Sequence, residues 1–237
     1  MTKREFIVSA MQVDANHNLR LADALEMYQD VAVLNVEELG VGMNKILHDF
    51  GYMWVVTRMY MECYGTANNE DKVEVFTYPS EIRGGFAFQR QSGINDKDGK
   101  PLFRICSTWI LMDHDTHRMV LRPQLPYYAE KHEDQTPEPG KVVSEPAELA
   151  YSRVVRYSDT DINNHLNNVK YIDLIVDLFD VEFFKTNIIS SMLMNYEKEV
   201  RCGEQIDIYC SKDKTFVEGR VGNDIVFKCK MTFKENA

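Results

Sequence analysis

The sequence lacks the cysteine pattern of a disulfide-rich or zinc-binding protein. Its 237 residues include five cysteines, and no two of them form a CxxC pair. An odd number of widely spaced cysteines argues against both a disulfide framework and a structural zinc site. We therefore expect free thiols, mostly buried, at Cys63, Cys106, Cys202, Cys210 and Cys229.

Basic charge and long apolar runs are scarce as well. Lys and Arg number 27 against 37 Asp and Glu, which gives a formal net charge of -10. No basic run offsets the repulsion that nucleic-acid phosphates would exert on this charge, so we expect no nucleic-acid binding. No uninterrupted apolar stretch approaches a membrane span, and none precedes Asp14 as the apolar core of a signal peptide would. We expect a cytoplasmic protein without a membrane partner.

Cofactor and metal motifs are missing too. Gly84–Gly85 and the pair Gly40 and Gly42 lack the spacing of a phosphate-binding loop. The six histidines are scattered, and the pair His114 and His117 has no third ligand beside it in the sequence. We expect neither a cofactor nor a metal.

What the sequence does contain begins with a strand and one long helix. Residues 4–13 suit a strand, and residues 18–40 place apolar side chains such as Leu21, Leu25 and Tyr28 three or four apart, which predicts an amphipathic helix. The residues that follow form four runs rich in β-branched and aromatic residues, separated by turn residues. One helix followed by consecutive strands predicts an α+β fold with an antiparallel sheet.

The same order of elements occurs twice. Residues 151–157 predict a second opening strand, residues 169–184 predict a second helix, and four strand-like runs follow. Between the halves, residues 131–150 are rich in proline and charge and predict a linker. Two units of a long helix beside a curved antiparallel sheet make a double hotdog, in which the sheets pair edge to edge. We therefore predict a first hotdog over residues 1–130 and a second over residues 151–237.

A polar stretch, DTDINNHLNNVKY at residues 159–171, precedes the second predicted helix. In an extended segment Asp161, Asn163 and His165 would point the same way and line one pocket. A carboxylate, an imidazole, an amide and free N–H groups at a helix start are parts that thioester hydrolysis requires. The alternative is that these side chains only cap the helix and its turn.

The stretch DTDINNHLNNVKYIDLIVD resembles the signature of acyl-acyl carrier protein thioesterases, the plant enzymes and their bacterial relatives. Every fixed position of the family pattern Asp-x-Asp-x-Asn-x-His-x-Asn-Asn-x-Lys-Tyr is present. WVVTRMYMECY, STWILMDHDTHRMVLRP and MNYEKEV match the family in the same order, so the resemblance covers most of the chain. It implies a double hotdog with the active site in the C-terminal half and acyl-chain binding in the N-terminal half.

Carried over by position, the resemblance implies four catalytic residues. Asp161 would activate water or attack the thioester, Asn163 would orient the carbonyl or Asp161, and His165 would polarise the carbonyl or relay a proton. Glu199, expected on a following strand, would orient water or His165. Plant members carry a cysteine directly after this glutamate, where this chain has Val200. We therefore expect a mechanism without a thiol nucleophile.

The acyl chain requires an apolar wall, which the resemblance places in the first half. The substrate-binding candidates are Met27, Tyr28, Trp54, Met59 and Met61. Twelve methionines suit an adaptable lining. The alternative for each of these residues is ordinary core packing.

The resemblance implies hydrolysis of fatty acyl-acyl carrier protein, which releases free fatty acid and ends chain elongation in fatty acid biosynthesis. Two alternatives stay open: an acyl-CoA thioesterase, and a non-catalytic module that binds acyl groups or the carrier. The acyl carrier protein is acidic, as is this chain, so docking would need a local basic patch. The candidate patches are Arg83, Arg90, Arg118 and Arg122 in the first half, or Lys198, Arg201 and Lys212 in the second. A homodimer is a further alternative left open.

Overall fold

The computed structural model describes residues 1–123, 125, 129–130, 132 and 135–235. These residues form four helices and ten strands. The helices are α1 (Leu21–Glu38), α2 (Met43–Phe50), α3 (Lys170–Val176) and α4 (Val181–Thr186). The strands are β1 (Thr2–Ile7), β2 (Tyr52–Cys63), β3 (Lys72–Arg83), β4 (Ala87–Asp96), β5 (Pro101–Asp113), β6 (Glu148–Val154), β7 (Asn187–Tyr196), β8 (Gln205–Cys210), β9 (Phe216–Val221) and β10 (Asp224–Glu235).

All ten strands join in one sheet with antiparallel neighbours. Its order is β1-β3-β4-β5-β2-β7-β10-β9-β8-β6. Reading outward from the centre, the first half has the order β2-β5-β4-β3-β1, and the second has the matching order β7-β10-β9-β8-β6. The two halves therefore share one connectivity, and the predicted α+β double hotdog is confirmed.

The two halves meet edge to edge at the β2–β7 pair. The register runs from Arg58 opposite Asn195 to Glu62 opposite Ser191. The residues of this pair that face the core are methionines: Met59, Met61, Met192 and Met194 are all buried. Since one hydrophobic cluster contains all four, the core continues across the junction between the halves.

Helix α1 follows the predicted stripe. Leu25, Tyr28 and Val31 are buried, and the helix packs on β1, β3 and β4 and touches α3. It ends just before Gly40, whose φ of 72° lies in the left-handed region that glycine adopts without steric cost. This helix covers the face of the first-half sheet that builds the core.

The prediction of the second helix is wrong in one respect. Instead of one helix over residues 169–184, the chain forms α3 and α4, separated by residues 177–180. Asp180 starts the new helix, because its carboxylate accepts a hydrogen bond from the Phe183 N–H (2.8 Å). Phe179 and Phe183 then pack edge to face on Phe233 of β10, and this packing fixes the direction of α4.

Other boundaries differ as well. The first strand ends at Ile7 instead of continuing to residue 13, and β6 gives way to a 3-10 turn at Tyr157–Asp159. Helix α2 was not predicted, because its apolar residues are too few to show a period over so short a segment. No helix within the described ranges is long and apolar enough to cross a membrane.

The described part of the predicted linker crosses the sheet. Its residues bond to strands of both halves. The strand residues that they contact alternate with core residues along each strand, so they lie on the face opposite α1. The contacts are Thr136 with Gln91 of β4, Gly140 and Val142 with Asn195 of β7, Ser144 with Glu218 of β9, and Glu145 with Lys230 of β10. We call residues 135–145 the strap. Strand β6 begins at Glu148, inside the segment predicted as linker, and the domain boundaries at 130 and 150 stay predictions.

Candidate active site

The polar stretch forms a tight turn. Thr160 and Leu166 pair as an isolated bridge, the Asp161 N–H donates to the His165 carbonyl (2.8 Å), and the Asn164 N–H donates to the Asp161 carbonyl (3.0 Å). Asn164 adopts a φ of 62°, which asparagine tolerates better than most residues. The expectation of an extended segment is therefore wrong, and the chain instead reverses direction between Asp161 and His165.

The Asp161 carboxylate closes this turn. Its Oδ1 accepts the backbone N–H of Asn163 (2.8 Å) and of His165 (3.2 Å). Its Oδ2 lies 3.5 Å from the Asn163 side-chain nitrogen. Because the main chain occupies one oxygen only, the other is available for chemistry.

His165 is held by the segment that follows β7. It pairs with Arg201 as an isolated bridge, and the adjacent Leu166 N–H donates to the Val200 carbonyl (2.7 Å). This pairing places His165 Nε2 3.3 Å from Glu199 Oε2. The His165 side chain is 17% exposed and that of Glu199 is 37% exposed, so the pair sits at a partly solvated position.

Glu199 does not lie on a strand, contrary to the expectation. Strand β7 ends at Tyr196, where its ladder with β10 also ends, and the chain then bends toward the turn that holds His165. The carboxylate reaches the imidazole because the segment has left the sheet.

A cavity of about 920 Å³ joins this turn to the first half of the chain. Asp161, Asn163, His165 and Glu199 all line it. The walls that the first half contributes come from α1, from α2 and from β2, β4 and β5, and are largely apolar. They include Val33, Val36, Met43, Trp54, Phe88 and Trp109. The volume suits a small-molecule site, for which about 300–1,000 Å³ is typical.

The five substrate-binding candidates fall into two groups. Trp54 lines the cavity, where its Nε1 donates to the Val41 carbonyl (2.9 Å) and its ring meets Phe88 edge to face at 4.9 Å. Met27, Tyr28, Met59 and Met61 lie in the core and do not line the cavity. Tyr28 uses its hydroxyl to bond Ser107 (2.7 Å).

Sequence reasoning missed several wall residues, including Val33, Val36, Phe88, Trp109 and Tyr196. The signal for the first two was present: both are apolar but lie outside the buried stripe of α1. Val33 is 44% exposed, and with Val36 it places apolar surface on the side of α1 that faces the cavity.

The thiols lie away from this chemistry. None of the five cysteines, all of which are described, lines the cavity. Cys202 is exposed, and Val200 beside Glu199 is fully buried. Burial raises the pKa of Cys63 to about 11 and that of Cys106 to about 12, so both stay protonated at neutral pH. Among the described residues, no three His, Cys, Asp or Glu side chains are placed to hold a metal ion.

The candidate basic patches differ in position. Arg90 is 4% exposed and bonds Asn35 and Thr77 inside the first half, so it is not part of a docking surface. Arg83 pairs with Glu138. Lys198 and Arg201, by contrast, line the cavity beside Glu199.

Two consecutive family models match the chain. The acyl-ACP thioesterase N-terminal domain matches residues 1–124, and the acyl-ACP thioesterase C-terminal domain matches residues 142–234. Among curated proteins, an oleoyl-acyl carrier protein thioesterase of Arabidopsis thaliana is 24% identical, covering 86% of this chain and 61% of the relative. A palmitoyl-acyl carrier protein thioesterase of the same plant is 26% identical, covering 85% and 52%. The chain thus spans about half to three-fifths of the length of these relatives.

Solved structures show the same fold. An acyl-ACP thioesterase from Bacteroides thetaiotaomicron aligns with a TM-score of 0.90 at 24% identity, covering 98% of this chain and 97% of that one. A 12:0-ACP thioesterase from Umbellularia californica aligns with a TM-score of 0.79 at 19% identity, covering 99% and 97%. With family models matched over both halves, the chain belongs to the acyl-ACP thioesterase family.

Proposed function

We propose that this protein hydrolyses the thioester of fatty acyl-acyl carrier protein and releases free fatty acid, which ends chain elongation in fatty acid biosynthesis. The observation that carries the proposal is the cavity, where Asp161, Asn163, His165 and Glu199 share one space with an apolar wall. A fatty acyl thioester needs both parts, because its carbonyl reacts in a polar environment while its chain is buried in an apolar one. A module that only bound acyl groups would not need this set of titratable side chains.

The attacking water is activated by Asp161. Its Oδ1 is occupied by two main-chain N–H groups, so Oδ2 is the oxygen that accepts a proton from water. The water oxygen bonds to the carbonyl carbon as this proton leaves. Asn163, whose side-chain nitrogen lies 3.5 Å from Oδ2, is placed to orient the carbonyl or the water.

The departing sulfur takes its proton from His165. The Glu199 carboxylate, 3.3 Å away, stabilises the protonated ring. As the carbon–sulfur bond breaks, the imidazolium gives its proton to the thiolate of the carrier's arm. Asp161 then gives the proton that it took from water to solvent, and His165 takes one back, so both side chains are restored and the products are a fatty acid and a thiol.

The carrier docks beside the cavity at Lys198 and Arg201. Both line the cavity next to Glu199, where Glu197 and Glu204 lie as well, so the two cations would attract an acidic partner as individual contacts and not as a positive patch. Lys198 also contacts Asp224 (2.7 Å), which leaves Arg201 as the stronger candidate. Raising the salt concentration is expected to raise the Michaelis constant for the carrier-bound substrate, and an unchanged constant would contradict this docking site.

We also propose a cytoplasmic location. All five cysteines are free, and Cys202 is exposed. Free exposed thiols persist in reducing compartments. Recovery of the protein in an oxidising compartment after cell fractionation would contradict this location.

The proposed activity is tested by offering the purified protein a ladder of saturated acyl groups, from short to long, on acyl carrier protein and on CoA. Released thiol and free fatty acid are measured together. Faster release from the carrier protein at equal acyl group supports the proposal, and faster release from CoA makes the protein an acyl-CoA thioesterase instead. Binding of the acyl carrier without release of thiol would make it a non-catalytic module.

A further inference from the structure

Tyr171 is a buried tyrosine in the first turn of α3. It is 3% exposed, and its ring lies edge-on between the rings of Tyr196 (5.5 Å between centroids) and Phe227 (5.3 Å). These contacts leave the ring little freedom to turn. The residue also lines the cavity that contains Asp161, His165 and Glu199.

The Tyr171 hydroxyl makes no hydrogen bond to any described residue. The buried Tyr28 bonds Ser107, and the half-buried Tyr151 and Tyr196 bond the carbonyls of Leu174 and Asn168. Because a tyrosine hydroxyl in a buried position normally has a hydrogen-bond partner, this one calls for an explanation.

The hydroxyl is not sealed inside the protein. Among the described residues, Asn95 Oδ1 is the one side-chain N or O atom that is both closed off from solvent and without a hydrogen-bond partner. The Tyr171 oxygen has no partner either, so it is not closed off. Since the rest of Tyr171 is buried and the residue lines the cavity, its hydroxyl is reached from the cavity. It is a donor that faces the space where substrate would lie.

The surroundings keep this donor protonated. Burial raises the pKa of Tyr171, and the negative charges of Glu199 and Asp161 raise it further. Both carboxylates are thus close enough to act on the hydroxyl, yet neither bonds to it. At neutral pH the group is a fixed neutral O–H beside the side chains that activate water and protonate sulfur.

We infer that Tyr171 is a further catalytic residue whose hydroxyl donates a hydrogen bond to the thioester carbonyl oxygen. The inference rests on the proposed hydrolysis. As water attacks, negative charge develops on this oxygen, and a preorganised donor stabilises it more than it stabilises the bound substrate. The tyrosine proton stays on its own oxygen throughout, so the step needs no further reactant.

The test compares Tyr171→Phe with Tyr151→Phe in the full chain. Each change removes one hydroxyl and keeps a ring, but Tyr151 is half-buried, does not line the cavity and bonds the Leu174 carbonyl. On acyl carrier protein substrate, we expect Tyr171→Phe to lower kcat about 100-fold and to raise KM by no more than about tenfold, and Tyr151→Phe to keep the wild-type kcat. Wild-type kcat in folded Tyr171→Phe would overturn the inference.

A binding measurement separates this inference from the proposed function. The probes are a ketone analogue, in which CH₂ replaces the thioester sulfur, and the same chain without the carbonyl oxygen. We expect the wild-type protein to bind the ketone more tightly than the chain without the oxygen. In Tyr171→Phe, the ratio of these two dissociation constants should shrink about tenfold. An equal preference in both proteins would overturn the inference. If the wild-type protein released no fatty acid, the proposed function would fail. The binding measurement would still show whether the Tyr171 hydroxyl bonds the carbonyl oxygen.

Discussion

Asp14 and Asp161 close the same turn in the two halves of the chain. Asp14 Oδ1 accepts the N–H of residue 16 (2.8 Å) and of residue 18 (3.0 Å), just as Asp161 Oδ1 accepts those of residues 163 and 165. The bridges Val13–Leu19 and Thr160–Leu166 flank the two turns. Duplication has therefore preserved the turn itself, independent of the chemistry it holds.

The copies differ at the position of the imidazole. Counted from the aspartate, Asn18 occupies the place of His165, and His17 occupies that of Asn164, with φ values of 64° and 62°. Neither Asp14 nor His17 lines the cavity. The first-half turn supplies a control for every experiment on the second.

Asp161→Asn is expected to abolish most activity without unfolding the protein. The amide oxygen of asparagine accepts the same two main-chain bonds, so the turn survives, but the group no longer takes a proton from water. We expect kcat to fall about 10²–10⁴-fold. The matched change Asp14→Asn should leave kcat unchanged, and equal losses in the two variants would contradict the role of Asp161.

Glu199 is expected to act through His165. Glu199→Gln removes the charge beside the imidazole, and since the pair is partly exposed, we expect kcat to fall only about fivefold. His165→Gln should cost about 100-fold or more. The double variant should match His165→Gln, because the carboxylate has nothing left to stabilise. Glu182→Gln, which removes the charge of an exposed ion pair with Lys185 in α4, is the control. Additive losses in the double variant would show that Glu199 acts separately from His165.

Trp54 and Met59 distinguish the cavity wall from the core. Trp54→Leu empties part of the wall, so we expect the ratio of kcat/KM for long chains to that for short chains to rise. Met59→Leu conserves volume in the core; it should cost less than about 1.5 kcal/mol of stability and leave that ratio unchanged. A change of chain-length preference in the Met59 variant alone would show that the core methionines bind substrate.

Cys202→Ser is expected to leave kcat/KM unchanged. The residue is exposed and does not line the cavity, so neither its replacement nor its alkylation should reach the reaction. Loss of activity as complete as in Asp161→Asn would establish a thiol mechanism in place of the one proposed here.

Asn195→Ala is expected to destabilise the protein without altering its chemistry. The buried side chain accepts the Val142 N–H (2.8 Å) and donates to the Gly140 carbonyl (3.0 Å), which fixes the strap at the junction of the halves. Leaving these groups unpaired should lower the free energy of unfolding by about 1–3 kcal/mol, measured by urea denaturation. Ser190→Ala, on the same strand but half-buried and away from the strap, should cost much less, and equal costs would argue against the strap as a stabilising element.

Sequence reasoning succeeded where a pattern repeats over many residues. The apolar period of α1 and the recurring order of one helix and several strands predicted the fold, since periodicity reports which face of an element is buried. The candidate site was predicted by residue identity. The turn geometry was not, because the bonds of Asp161 to the main chain depend on a reversal that alternating side chains do not signal.

The cavity wall was predicted least well. Met59 and Met61 resemble an adaptable lining in sequence, yet their register opposite Met194 and Met192 places them in the core. Whether a side chain faces the core or a cavity depends on strand pairing between distant segments. The break before α4 has a similar origin, because Phe179 and Phe183 pack on Phe233, which lies about fifty residues later in the chain.

The most direct test follows free fatty acid and carrier thiol together during incubation of purified acyl carrier protein substrate with the wild-type protein and with Asp161→Asn. We expect equimolar release of both products by the wild-type protein and almost none by the folded variant. Equal release by the two proteins, or no release by the wild-type protein on any chain length, would contradict it.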